Sequence, residues 1–291
     1  MPAAKTNKHT DMENKKEKGR NVKLRMFNVV IQPVGQQKEE NYVALIDYVF
    51  KDGKSFCTAP VKFTKLRAIN KAGHIIYGTL VNYTVLKEGS PWYNTETNSF
   101  EEHPVDPSLN PNAKEWDFYF DTEHHRIAVI SKRGVSFPQI YNYFSNAFAK
   151  ASEVMPFDDV TVNSITSNEG IELIFALEEI ESLTVEVSYS NNDNNEDWEA
   201  AIDNQLQEMG AGRIKTTVKA PKKGRMALKN DSFLGGMIKL SKNNGSAKAE
   251  GKLEGKKTKV NTDSYPREII LNKVTEENLL AKIKSAIASL L

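Results

Sequence analysis

The chain has 291 residues, a formal net charge of +1, and 39% hydrophobic residues including 13 Phe, 10 Tyr and 3 Trp, which is core material for one large domain or two ordinary ones. A single cysteine, Cys57, excludes an internal disulfide framework and suits a reducing compartment. No apolar run reaches the roughly 18–20 residues of a membrane span and the N-terminus has no apolar leader core, so a soluble cytoplasmic protein is expected.

Residues 1–21 are polar and lysine-rich and are expected to form a disordered basic tail. A strand is expected over Lys23–Gln32, stopped by Pro33. A short helix follows, with Tyr42, Leu45, Ile46 and Val49 at i, i+3, i+4 and i+7. Val61–Ala68 and His74–Thr84 read as a hairpin around Lys71-Ala72-Gly73. From Gly89 to Ala113 four prolines predict a loop, yet Trp92, Tyr93 and Phe100 within it suggest that part of it packs on something.

The second half carries clearer periodicity. Trp116–Phe120 and Arg126–Ser131 flank a polar turn and predict a hairpin. Ser136 and Gln139 form an S-x-x-Q capping box that opens a helix over Ile140, Phe144, Ala147, Phe148 and Ala151, ending near Met155-Pro156. Asp159–Ile165 is a strand candidate, and a short acidic helix is expected from Ser167 to Leu177. Leu183, Val185, Val187 and Tyr189 alternate with Thr184, Glu186 and Ser188 in a strand. The next helix should turn Trp198, Ala201, Ile202, Leu206 and Met209 inward. It is followed by a strand with Ile214, Thr216 and Val218 on one face and Lys215, Thr217 and Lys219 on the other. A helix over Leu228–Leu240, weakened by Gly235-Gly236, precedes strands at Ser246–Leu253, Lys256–Asn261 and Pro266–Leu271. The last helix starts at Thr275 as N-cap, with Glu276 and Glu277 suited to the positive helix end. Strands and helices mix without a βαβ rhythm, which predicts an α+β fold of mainly antiparallel sheets with several packed helices. The expected division is a tail (1–21), an N-terminal α+β region (22–114) and a second α+β region (115–291).

The near-neutral total hides a polarised chain. Residues 151–212 contain fifteen acids and no Lys or Arg, whereas residues 213–259 hold fourteen basic residues against three acids. Such asymmetry argues about partners, and the partner it points to is a polyanion. The candidate nucleic-acid-binding residues are Arg213, Lys215, Lys219, Lys222, Lys223, Arg225, Lys229, Lys248, Lys252, Lys256, Lys257 and Lys259. Lysines outnumber arginines twelve to two in this stretch, which favours point-charge contact with phosphates over bidentate reading of base edges. Weak sequence preference is expected, with DNA favoured over RNA. The bland alternative is a solubilising surface balanced by the acidic segment, its carboxylates pairing with the basic residues within a subunit or across a dimer.

Two enzyme readings need weighing. Glu250-Gly251-Lys252 and Glu254-Gly255-Lys256 match the E-x-K half of a nuclease core, with Asp231 as the nearest upstream acid; this makes a nuclease the first alternative. The only histidine cluster, Glu123-His124-His125, reads as a hairpin turn, since no spacing supports His74 or His103 as further metal ligands. No phosphate loop, nucleophile elbow or dinucleotide fingerprint is present, and no cofactor, metal or catalytic residue is expected. A non-enzymatic interaction module, assembling through its charged segments, is the second alternative.

The succession of hairpin (Phe118–Ile130), helix (Pro138–Ala151), strand, acidic element and Thr184-Val185-Glu186-Val187, with Leu271-Asn272-Lys273-Val274-Thr275 entering the last helix, resembles the RexA-like phage exclusion family of DNA-binding proteins. It also resembles a related bacterial family of unknown function. The resemblance covers residues 115–291. It implies a cytoplasmic homodimer that binds DNA as the sensor of an abortive-infection, anti-phage system with a small membrane protein as partner. It transfers no functional residue.

Overall fold

The computed structural model describes residues 19–87, 89–102, 106–188, 197–221 and 226–289. In chain order the strands and helices are β1 (Arg20–Gln32), α1 (Glu39–Asp52), β2 (Ser55–Ala59), β3 (Lys62–Ala72), β4 (Ile75–Thr84), β5 (Pro91–Asn94) and β6 (Ser99–Glu102). They continue with β7 (Lys114–Asp121), β8 (Arg126–Ser131), α2 (Phe137–Ser152), β9 (Asp159–Ser164), α3 (Asn168–Phe175), β10 (Glu179–Ser188) and α4 (Asp197–Glu208). The chain then forms β11 (Arg213–Lys219), α5 (Phe233–Asn244), β12 (Gly245–Leu253), β13 (Lys256–Asn261), β14 (Glu268–Val274) and α6 (Glu276–Ala288). All strand pairs are antiparallel, so the fold is α+β with mainly antiparallel sheets.

An eight-stranded sheet has the order β14-β1-β8-β7-β4-β3-β2, with β9 also paired to β1. Strand β1 is long enough to hold three partners. Its residues 23–28 pair with β8, while β14 and β9 follow one another along its other edge, opposite residues 20–25 and 27–32. Alternation along β1 loads both faces: Phe27, Val29 and Ile31 join the core under α1 and α2, and Val22, Leu24 and Met26 join a second core under α6. β4 and β7 pair from Ile75↔Asp121 to Asn82↔Lys114, so sheet continuity runs across the expected division at residues 114 and 115.

A separate four-stranded sheet has the order β11-β10-β12-β13. Its inner face presents Leu183, Val185, Val187, Ala247, Ala249 and Val260 to α5, with Met237, Ile238 and Leu240 opposite. Small residues on β12 let the helix lie close. Polar contacts tie the eight-stranded sheet to this layer: Asn28 Nδ2 donates to Asn244 Oδ1 of α5 at 2.7 Å and Asn163 Nδ2 to Ser188 Oγ at 3.0 Å, both buried, and Gln32 Nε2 makes a half-buried bond to the Gly212 carbonyl before β11 at 2.8 Å.

Several local expectations change. Ser136 is the N-cap of α2 but its side chain makes no capping bond; Gln139 Oε1 instead accepts from Asn82 Nδ2 on β4 at 2.8 Å, a tertiary contact that displaces the local box. A reciprocal capping box forms at Thr275 and Asn278 of α6. The helix expected over Leu228–Leu240 starts at Phe233 with Ser232 as cap. Its glycines serve packing, because a Cβ on Gly236 would stand 2.7 Å from Trp198 Cβ. Trp198 and Met209 are 40% and 64% exposed rather than inward, and α4 buries Ile202 and Leu206. Within the long loop, β5 and β6 form a hairpin whose Trp92, Tyr93 and Phe100 are 41%, 52% and 74% exposed, so these aromatics stay on the surface. Strand β1 begins at Arg20, inside the stretch expected as tail; residues 1–18 lie outside the described ones, as do Tyr189 and the 191–195 run.

Candidate nucleic-acid interface

The outer face of the four-stranded sheet gathers most of the basic candidates. On β11 the residues Arg213, Lys215, Thr217 and Lys219 are exposed while Ile214, Thr216 and Val218 are half-buried, as period-two alternation requires. On β12, Ala247, Ala249 and Gly251 are buried and Lys248, Glu250 and Lys252 point away from the core. The register stacks these into cross-strand rows. Lys215, Glu186 and Ser246 form one; Thr217, Thr184, Lys248 and Asn261 the next; Lys219, Ser182, Glu250 and Lys259 the third; Lys252 and Lys257 close the series. Directly opposed side chains on neighbouring strands lie close enough to interact, and Thr184 and Thr217 share a hydroxyl–hydroxyl bond of 3.1 Å.

The acidic strand β10 lies between the basic strands β11 and β12, so the two charge blocks of the sequence interleave. Arg213 Nη1 pairs with Glu186 at 2.6 Å, with Lys215 Nζ 3.6 Å from the same carboxylate. Lys252 pairs with Glu179 at 3.0 Å, Lys257 with Glu181 at 2.8 Å and Lys259 with Glu250 at 2.7 Å. The Lys259 ammonium holds the Glu250 carboxyl below its usual value, and Glu181 raises Lys257. Seven cations on this face thus meet Glu179, Glu181, Glu186 and Glu250, leaving an excess of three rather than the excess of eleven along the sequence. Lys219 and Lys248 form no ion pair among the described residues.

Other candidates fall elsewhere. Lys256 opposes Leu253 at the start of β13 and sits out of phase with Lys257 and Lys259. Lys229 precedes α5, the helix that covers the buried face, and its carbonyl accepts from Ser232 Oγ at 2.7 Å; it does not join the lysine rows. Lys222, Lys223 and Arg225 lie outside the described residues.

The E-x-K pairs stand on or beside the same face. Glu250 and Lys252 are each engaged in an ion pair, and Glu254 occupies the tight turn at φ 50°. Their nearest carboxylates across the sheet are Glu179 and Glu181 of β10, not Asp231, which accepts from Trp198 Nε1 at 2.7 Å. Register on β10 is a non-local property, so spacing along the chain could not show which acids stand beside these pairs.

The histidine turn gains a member that spacing missed. Pairing of β4 with β7 sets His74 beside the turn, with Nδ1 3.2 Å from Glu123 and Nε2 3.9 Å from Asp121. The fully buried Asp121 carboxylate accepts the backbone N–H groups of Glu123 and His124 at 3.1 and 2.9 Å, and faces His124 Nδ1 at 2.9 Å. Those bonds lock the turn. His125, at φ 57°, stacks on Tyr42 with ring centroids 4.0 Å apart, and burial lowers its pKa to about 4. Among the described residues no three His, Cys, Asp or Glu side chains assemble as a metal site, and no helix is long and apolar enough to cross a membrane.

Residues 20–288 match the family described as a domain of unknown function, DUF4747, and the chain belongs to that family. No curated protein matches it.

Proposed function

We propose that this member of the DUF4747 family binds nucleic acid, DNA in preference to RNA, through the outer face of its four-stranded sheet, without strong sequence preference. The observation that supports the reading is a sheet face on which lysines outnumber carboxylates and on which Lys219 and Lys248 form no ion pair among the described residues, Lys248 having only the more distant Asp263 carboxylate to act on it. Threonine and asparagine beside Lys248 add uncharged hydrogen-bonding groups of the kind that position a phosphate backbone. The role of sensor in anti-phage defence, with homodimerisation and a membrane-protein partner, rests on the resemblance of residues 115–291 alone.

Titration of the full chain with random-sequence duplex DNA and RNA at two salt concentrations tests the binding. Affinity should fall steeply with salt, with a slope of about 0.9 in log–log terms for each phosphate neutralised. Replacing Lys219 and Lys248 together by Gln should lower that slope by about two. Absent or salt-insensitive binding sinks the proposal. Magnesium-dependent cleavage that disappears in Glu250→Gln would put a nuclease in its place, and salt-sensitive self-assembly without DNA affinity would favour an interaction module.

A further inference from the structure

Beside the lysine rows, where the two sheets meet, lies a cleft of about 350 Å³, within the size range of small-molecule sites. One wall is aromatic. Phe27 and Tyr141 stand with ring centroids 6.2 Å apart, and the Arg25 guanidinium covers the Phe137 ring at 4.5 Å. Tyr141 remains 36% exposed, so a further ring has a surface to stack on.

Another part of the lining is polar and buried. Asn163 and Asn244 are 7% and 2% exposed and both line the cleft. Each uses one end of its amide inside the protein: Asn244 Oδ1 accepts from Asn28, and Asn163 Nδ2 donates to Ser188. The other ends, a donor at Asn244 Nδ2 and an acceptor at Asn163 Oδ1, make no hydrogen bond among the described residues. Neither atom is among the fully buried unpaired ones, so both open on the cleft, where they offer a ligand one donor and one acceptor.

Charge narrows the ligand further. Arg25 is held by Glu268 at 2.8 Å and Arg213 by Glu186, while Asp263 brings a further carboxylate to the lining. The lining charges, Arg25 and Arg213 against Glu186 and Asp263, cancel, which disfavours a phosphate inside. A neutral planar ring with a donor–acceptor edge fits: a nucleobase. The rim supplies the connection, because Glu186 and Ser246 also belong to the first cross-strand row with Lys215.

We infer that the cleft receives one unstacked base of a single strand, while the adjoining lysines hold the phosphates. This rests on the proposed nucleic-acid binding and adds a preference for single-stranded over duplex substrate at this point.

The test measures fluorescence anisotropy of the full chain with a labelled single-stranded oligonucleotide and its duplex, and direct titration with adenosine 5′-monophosphate. Tyr141→Ala should weaken single-strand binding about tenfold, on the scale of one stacked base, leave duplex binding unchanged and abolish the mononucleotide signal. Tyr141→Phe should restore both the single-strand affinity and the mononucleotide signal. Equal loss on both polymers, or loss on neither, overturns the cleft assignment. The Lys219→Gln, Lys248→Gln double variant reports on the sheet face separately, because it should weaken both polymers and spare the mononucleotide. If no polymer binds, the sheet reading fails and the mononucleotide titration alone decides the cleft: saturable binding lost in Tyr141→Ala sustains a base site, and no binding removes it.

Discussion

Among the described residues, the eight-stranded sheet is covered on both faces along β1, whereas the four-stranded sheet is covered on one and leaves the other to water. Over β1 and β8, α1 and α2 bury one face with Tyr42, Phe144 and Phe148, and α6 buries the other with Ile283 and Ile287. The four-stranded sheet has one aliphatic core under α5 and a charged outer face. An antiparallel sheet can leave one face solvated, and side chains there are free of packing duty. The aromatic sheet therefore carries the stability of the fold, and the aliphatic sheet carries the surface that can meet a partner.

The largest effect expected from that contrast lies in the aromatic core. Phe144 is fully buried, with Phe118 at 5.2 Å and Tyr143 and Phe148 at 5.4 Å between ring centroids. Phe144→Ala should cost about 3–5 kcal/mol, measured by urea denaturation, while the surviving folded fraction keeps its DNA affinity. A loss confined to DNA affinity would reverse the assignment of roles.

A pH titration separates the sheets next. His125 has a folded pKa of about 4 against an ordinary 6.5, mainly through burial, with Arg126 and His124 lowering it further and Asp121 opposing them. The unfolded chain takes up the proton first, so stability is fully present above about pH 6.5 and is lost as the pH falls towards 4. The loss amounts to at most about 3 kcal/mol. His125→Asn, which tolerates the left-handed backbone, should flatten that slope. An unchanged slope would assign the acid sensitivity elsewhere.

Gly251 tests how tightly the second sheet is built. A Cβ there would stand 2.2 Å from the Glu179 carbonyl on β10, backbone that cannot swing aside. Gly251→Ala should destabilise by about 1–3 kcal/mol and weaken DNA binding as well, since it pushes apart the strands that carry Glu179 and Lys252. Full stability with full binding would show that the face does not depend on this strand spacing.

What could be read from the chain follows the range of the forces involved. Alternation over Leu183–Val187, the Glu254-Gly255 turn and the cap at Thr275 are local, and the structure keeps each of them. The basic strands were visible as Lys215 with Lys219 and as the lysines of 248–259. Their neutralisation was not, because nothing local says that β10 inserts between β11 and β12. His74 reached the histidine turn through the β4–β7 register for the same reason. The cleft draws on β1, α2, β9, β10, β11, the α5–β12 junction and the turn at Asp263 and Pro266, seven separate segments. Its trace in the sequence is slight: Asn163 interrupts the apolar positions Val160, Val162 and Ile165, whereas Asn244 is lost in the polar run Ser241-Lys242-Asn243-Asn244-Gly245-Ser246.

The smallest effect on stability comes with an informative sign on binding. Glu250 and Lys259 face one another across β12 and β13, with the two side chains 38% and 70% exposed. Exposed pairs contribute little, so Glu250→Gln should leave the denaturation midpoint within experimental scatter. It should also release Lys259 and raise the cation excess of the face from three to four, steepening the salt dependence by about 0.9 and tightening binding at low salt. The same substitution would destroy activity if Glu250 were the carboxylate of a nuclease, and would slacken self-assembly if that carboxylate docked onto a second copy. One side chain therefore separates the three readings by direction alone: a gain of affinity belongs to the phosphate-binding face, because only there does the carboxylate act as a competitor of the ligand.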